Sequence, residues 1–358
     1  MKKYILLVFL LIQLFGAMAQ SNYDAWLEVR GKLGYLAAHN STMGHLSKEH
    51  AKSVELAYRF QTKGNKEWHR AYNYPTLGVA LFVSSAGNRE VLGTYSGIFG
   101  FMNLPLLKTK NFVLAGKMGA GLAYTDKVYN SETNILNVAV STHINARITL
   151  GLDAEFKFGR NAIFLGIDAS HYSNSAINTP NFGLNLPFVS VGYAYRIKKT
   201  SDSLTTINNQ KEIKYWQFGV LGILSVKKIN PIGGKHFTVF GANIFARRFI
   251  NHKIGLELSF DSFMKQSIFE FQEDIPKSQA DIVQLGIFLG YILPFDKFHL
   301  VTGMGYYVRD KYQPQDFVYH RVGMRYVFDS GLNLNLVLKS HWARADYTEF
   351  GIGYTFKK

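Results

Sequence analysis

His171 and Ser173 stand two residues apart in His171-Tyr172-Ser173-Asn174, where a run of alternating apolar and polar residues ends. In an extended strand, side chains at i and i+2 leave the same face. An imidazole and a hydroxyl then lie side by side, the pairing in which a base takes a serine proton for nucleophilic acyl transfer. Ile163, Leu165, Ile167, Ala169, His171 and Ser173 share one parity, and Gly166, Asp168 and Ser170 share the other. The two reactive groups therefore prolong the apolar stripe.

On the next alternating run, Val189, Val191, Tyr193 and Tyr195 hold the apolar parity. Counting back through Pro187 brings Asn185 to the face that carries His171. Its amide oxygen can accept an imidazole N–H and fix the tautomer, as the third member of a catalytic group does. It brings no negative charge. Asn174, or a backbone N–H near Ala176, is placed to donate to a tetrahedral oxyanion. Against this stands a plainer reading: histidine and serine are ordinary residues at a membrane rim, and Asn174–Asn185, with Pro180 and Gly183, is ordinary turn chemistry.

The elements that must hold these groups are strands of an exported protein. Lys2 and Lys3, an apolar run from Tyr4 to Phe15 and Ala17-Met18-Ala19 make a secretory leader, with cleavage expected before Gln20. Its loss lowers the formal charge from +15 to +13. No later segment has the roughly 18 consecutive apolar residues of a membrane helix, although the chain is 47% hydrophobic and 15% aromatic. A closed β-barrel satisfies every backbone group in lipid; a soluble sandwich is the other all-β solution. The absence of cysteine excludes disulfides and thiolate metal sites. The positive charge suits anionic headgroups or lipopolysaccharide phosphates. Nucleic acid fits poorly, because the leader exports the chain and the basic residues are scattered.

A transmembrane strand needs about 9–11 residues with one apolar and one mixed face. Leu27, Val29, Leu33 and Tyr35 oppose Glu28, Arg30 and Lys32; Val54, Leu56, Tyr58 and Phe60 oppose Glu55, Ala57 and Arg59. Further strands are expected over 75–85, 91–103, 111–125, 137–157, 162–173 and 186–197, making eight in the first half. After a polar connection, a second set is expected over 215–226, 237–249, 253–263, 281–293, 299–308, 317–328, 331–341 and 348–356. The glycines at 93, 97, 100, 116, 119 and 121 suit a crowded barrel interior. The expected fold is an all-β, antiparallel outer-membrane barrel protein with two tandem eight-stranded barrels, a single barrel of 14 to 16 strands being the alternative. Its parts are a leader (1–19), a first barrel bearing the candidate site (20–197), a linker (198–214) and a second, degenerate unit (215–358).

His171-Tyr172-Ser173-Asn174, followed by Pro180-Asn181-Phe182-Gly183 and Val189-Ser190-Val191-Gly192-Tyr193, resembles the PagL-type lipid A 3-O-deacylases and the broader acyloxyacyl hydrolase-like family. The resemblance implies an outward-facing serine esterase that hydrolyses an acyl ester of lipid A in the outer leaflet. By position, Ser173 is the nucleophile, His171 the general base and Asn174 an oxyanion contributor. The family's glutamate falls on Asn185, a departure that weakens stabilisation of an imidazolium. Asp168 is no replacement, because its parity points inward. Lipid A or lipopolysaccharide and outer-membrane lipids are the implied partners; no cofactor or metal is called for. The competing function is a non-catalytic barrel acting as a channel, structural protein or binding module.

The second half offers no matching pair. Leu332, Leu334, Leu336 and Leu338 share one parity, which puts His341 on the other face with Lys339 and with Ala343 at i+2. His143 reads as a lumen or rim residue. Lys48, His50 and Lys52, with Lys66 and Arg70, read either as a lipid-phosphate patch or as solvated loop. The acidic run 269–274 lacks a calcium-loop pattern.

Overall fold

Each alternating run becomes one strand of an antiparallel sheet that closes on itself. In the computed structural model, which describes residues 23–200, 214–229, 232, 234–271, 278–312, 316–342 and 344–357, this happens twice. The expected leader lies outside those residues, as do residues 201–213 of the polar connection. The first barrel comprises β1 (Asp24–Gly34), β2 (Ala51–Gln61), β3 (Thr76–Ser85), β4 (Thr94–Lys108), β5 (Phe112–Thr125), β6 (Ile144–Phe158), β7 (Asn161–Ser173) and β8 (Leu184–Lys198). It closes by β8 on β1, with Val29 opposite Tyr193. The second comprises β9 (Tyr215–Lys228), β10 (His236–Asn251), β11 (Ile254–Lys265), β12 (Val283–Phe295), β13 (Phe298–Arg309), β14 (Val318–Val327), β15 (Leu332–His341) and β16 (Arg344–Lys357). It closes by β16 on β9, with Phe350 opposite Leu224. Two eight-stranded barrels exclude the single large one.

The parities are inverted relative to a water-soluble domain. Leu27, Val29 and Leu33 are exposed on the outer wall of β1, while Glu28, Arg30 and Lys32 are buried in the lumen. Closure leaves no sheet edge, so the exposed aliphatic band can face acyl chains without stranding a backbone group. No helix among the described residues is long and apolar enough to cross a membrane. The protein is an outer-membrane barrel protein.

Both lumens are filled with paired charges. Arg30 grips Asp153 bidentately at 2.5 and 2.9 Å, and Lys32 bridges Asp168 (2.7 Å) and Glu55 (3.1 Å). Arg147 donates to Glu55 at 2.5 Å and lies 4.0 Å from the ring centroids of both Phe82 and Phe99. In the second barrel, Arg321 meets Asp261 at 2.6 Å and Glu349 at 3.0 Å, and Arg325 meets Glu257 at 2.9 Å. Tyr319 also donates to Asp261. Removing one partner of a buried pair typically costs about 3–5 kcal/mol, because the other charge stays buried and unpaired.

Connections 35–50, 86–93, 126–143 and 174–183 gather at one end of the first barrel, and the short turns 109–111 and 159–160 lie at the other. Long loops mark the outer face of such barrels, and short turns the periplasmic face. The turn 62–75 departs from this and carries a short helix, Glu67–Ala71. It reaches the second barrel: Lys66 Nζ lies 2.5 Å from Asp296 Oδ2, Tyr72 donates to the Lys253 carbonyl (3.3 Å), and its ring lies 4.7 Å from that of Phe295.

Several expectations need correction. The strand expected from residue 91 starts at Thr94, because Asn88 Oδ1 accepts from Val91 N–H (3.1 Å) and caps a helical turn, Arg89–Leu92, which ends at Gly93 with φ 68°. The strand expected from 137 starts at Ile144. Asn137 is instead held across the rim by donating to the Val91 and Lys127 carbonyls (3.2 and 3.3 Å). Of the interior glycines, Gly97 and Gly121 lie where a Cβ would meet a neighbouring strand's carbonyl at 2.0 and 2.2 Å, but Gly100 and Gly116 occupy the outward parity. The basic cluster is divided: Lys48, His50 and Lys52 lie at the outer end, and Lys66 and Arg70 in the turn 62–75 at the opposite end. His143 is exposed at the rim. His341 faces the second lumen, 3.3 Å from Asp346. Residues 272–274 of the acidic run lie outside the described residues, and Glu270 pairs with Lys235 at 2.9 Å.

Two outcomes follow from filled lumens. Planar-bilayer recordings are expected to show no persistent conductance of the size a wide porin gives; large, stable steps would contradict the packing. Asp261→Ala is expected to lower unfolding free energy by about 3 kcal/mol, read from urea titrations in lipid vesicles by tryptophan fluorescence.

Candidate functional site

The register of β7 with β8 sets His171 directly opposite Asn185, and that of β6 with β7 sets Ala146 opposite Ser173. His171 Nδ1 lies 2.7 Å from Asn185 Oδ1. The amide oxygen is an acceptor only, so Nδ1 carries the proton and Nε2 keeps its lone pair. That is the tautomer a general base requires. Asn185 Nδ2 in turn lies 3.0 Å from His39 Nδ1, and the Asn185 carbonyl accepts from Ala37 N–H at 2.9 Å. The first rim loop therefore holds the amide from the side away from His171.

His171 is half-buried and Ser173 is 9% exposed, both on the outward parity of β7 but at its outer end, where rim loops cover them. Side chains at i and i+2 of a strand start about 6.6 Å apart along the chain. No hydrogen bond joins the two among the described residues, and such contacts often tighten only when substrate binds. Asp168 is buried in the lumen on Lys32, as its parity requires.

The Pro180-Asn181-Phe182-Gly183 turn is shaped around this pair. Asn181 Oδ1 accepts from Asn174 N–H at 3.1 Å, fixing the residue that follows Ser173. Gly183 has φ 75°, and a Cβ there would sit 2.8 Å from His171 Cε1, so only glycine leaves room for the imidazole. Phe182 and Gly183 N–H donate to the Val138 and Ala139 carbonyls (3.3 and 2.9 Å), tying this loop to the one before β6. Asn174 Nδ2 donates to Ser141 Oγ at 3.3 Å. Ser175 and Ala176 both adopt left-handed backbone (φ 56° and 63°), a conformation that costs a non-glycine residue about 1–2 kcal/mol. The loop needs outside support to keep it.

Immediately below, toward the membrane, lies an open groove of about 580 Å³ on the outer wall of β1 and β6–β8. Leu33, Leu152, Ile167 and Val189 line it, and its upper wall contains Ala169 and Pro187, each two residues from a site residue. The structure thus brings together His171 and Asn185, sets Ser173 on the same face, and places Asn174 one residue on in the loop. His39 was missed. It sits in a connection without periodicity, and only closure of β8 on β1 brings its loop beside Asn185. Among the described residues, no group of three or more metal-ligating side chains forms.

Residues 52–194 match the family described as lipid A 3-O-deacylase (PagL), and residues 213–358 match the family described as acyloxyacyl hydrolase, C-terminal domain. No curated protein matches. Among solved structures, a mutant of the Rhodopseudomonas blastica porin is 10% identical over 93% of this chain and 100% of its own, with a TM-score of 0.21. An outer membrane channel from Pseudomonas putida F1 is 11% identical over 94% of this chain and 96% of its own, also at 0.21. Superpositions that poor bear on neither fold nor function.

Gly183→Ala is expected to lower esterase turnover at least about tenfold by displacing the imidazole, while the barrel keeps its heat-modifiable migration in detergent gels. Unchanged turnover would show that the close approach is immaterial.

Proposed function

The chain belongs to the PagL-type lipid A 3-O-deacylase and acyloxyacyl hydrolase family, and on that premise we propose that Ser173, His171 and Asn185 carry its reaction, with Asn174 beside the oxyanion. The protein is a lipid A deacylase-type hydrolase of the outer membrane. The observation that supports the assignment of residues is the His171–Asn185 hydrogen bond at 2.7 Å, formed on the lipid-facing parity at the outer rim.

Lipopolysaccharide occupies the outer leaflet at that height, with its acyl chains against the barrel wall. The apolar groove beneath His171 and Asn185 gives one chain a seat and leaves its ester at the rim. Ser173 Oγ attacks the ester carbonyl at position 3 while His171 Nε2 takes its proton. The tetrahedral oxyanion then collapses, expelling the sugar hydroxyl with that proton and leaving an acyl-serine. Water adds to the acyl-serine, again with His171 as base, and releases the fatty acid. Asn174 and the backbone N–H groups after it are the donors available to the oxyanion.

Asn185 holds the tautomer but leaves the imidazolium without a countercharge. In a serine protease triad, replacing the acid by its amide lowers turnover about 10⁴-fold, so slow catalysis is expected here. Detergent-solubilised protein is to be incubated with purified lipopolysaccharide and fatty-acid release measured. Ser173→Ala should abolish release, His171→Ala should reduce it at least about 10²-fold, and Asn185→Glu should raise it. Equal release from wild type and Ser173→Ala would refute the residue assignment.

A further inference from the structure

The second barrel touches the loop that carries this site. Lys228, the last residue of β9, donates its backbone N–H to the Ala176 carbonyl at 3.0 Å, and its Nζ lies 2.9 Å from Asn178 Oδ1. Both acceptors belong to the connection between β7 and β8, within five residues of Ser173. Ala176 is one of the two left-handed residues, so the captured carbonyl belongs to the part of the loop least able to hold its shape alone.

From Asn178 the contacts run back toward the site. Asn178 Nδ2 donates to the Ser141 carbonyl at 3.0 Å, and Ser141 Oγ accepts from Asn174 Nδ2 at 3.3 Å. Asn178 N–H also points at Asn174 Oδ1, at 3.5 Å. Lys228, Asn178, Ser141 and Asn174 therefore form one polar chain from the second barrel to the residue next to the proposed nucleophile. A contact at a single point would let the barrels swivel, but they are also joined at the periplasmic end. There Lys66 meets Asp296, Trp68 lies 5.9 Å from Phe295, and the Tyr72 ring lies tilted 4.7 Å from the same ring. With both ends fixed, Lys228 is held at a defined distance from the loop.

We propose that the second barrel is a brace for the active site, and that Lys228 is a positioning residue that keeps the 174–178 loop in its catalytic shape. This rests on the site reading above. Lys228 touches no reacting atom, so its loss should alter turnover and leave substrate binding in the groove as it was. Substitution removes only the side-chain half of the contact, the backbone bond to the Ala176 carbonyl remaining: an arginine can still reach Asn178, whereas alanine and methionine side chains cannot donate.

The full-length protein in detergent provides the test, with lipopolysaccharide as the probe and two separate readouts. Amide hydrogen exchange over 174–183 is expected to speed up at least about tenfold in Lys228→Ala, with strand amides of both barrels unchanged. In the same variant kcat should fall about tenfold with KM within twofold. Lys228→Arg should recover most of both effects; Asn178→Ala, which also loses the Ser141 contact, should be at least as severe as Lys228→Ala, and adding Lys228→Ala to it should change nothing further. Unchanged exchange in the loop, a faster loop with unaltered kcat, or additive losses would each overturn the brace. If wild type releases no serine-dependent fatty acid, the proposed function fails by itself; the exchange result still decides whether the second barrel holds the loop.

Discussion

The hydrogen bond between His171 and Asn185 exists because β7 and β8 are paired in a register that sets the two residues face to face. Register in a closed barrel is not a local choice. A one-residue slip would turn every side chain of a strand to the other face, driving Ile163, Leu165 and Ile167 into the lumen and Asp168 into lipid. The ion pairs from Lys32 to Asp168 and from Arg30 to Asp153 therefore secure the outer site as well as the interior. They pin the inward parity, and the outward parity follows.

The two barrels solve the same packing problem with different residues, and the proposed site lies on the first. Both fill a narrow lumen with arginine, lysine and carboxylate, laid against aromatic rings, so neither is a water-filled pore. Their outer ends differ. The first carries β7 two outward positions, His171 and Ser173, past its apolar stripe before turning, which leaves an imidazole and a hydroxyl just above the groove. In the second, β15 ends with His341 on the inward parity and hydrogen-bonded to Asp346, where no lipid ester can reach it. Chemistry on the outer wall needs polar residues on the apolar parity. Among the described residues, β7 supplies a histidine and serine on one strand, while in the second barrel His320 of β14 and Ser340 of β15 face each other across two strands on that parity, a pair that tracking β15 alone does not reveal.

Strand number, barrel closure and facing were legible from period-two alternation, because lipid on one side and a charged lumen on the other make parity an unusually strong signal. Asn185 could be placed on the face that carries His171 by counting through Pro187, since the pleat is preserved across it; the strand register then sets the two opposite each other. What escaped was everything that leaves the sheet. Val91 and Leu92 have strand-like residue types but follow a capping asparagine, and the segment from Asn137 to His143 is spent closing the rim. His39 lies within a connection and Lys228 at the end of a strand. Their partners are remote in sequence, so no local pattern marks them.

Asn185 is more than a glutamate that has lost its charge. Its oxygen accepts from His171 and its nitrogen faces His39 Nδ1, so both ends of the amide are used. A carboxylate in the same place could accept from His171 but has no N–H for His39, which would have to turn its own N–H toward the acid or lose the contact. The amide and the second histidine form a matched pair. The lipid-facing position adds a reason for neutrality: an ionised carboxylate beside acyl chains carries a desolvation cost that an amide with both partners satisfied avoids. The stabilisation given up is that of the imidazolium during turnover, while the resting geometry is kept by hydrogen bonds alone. A site built this way favours a well-positioned but weakly activated serine, and its rate then depends on how firmly the surrounding loops are held.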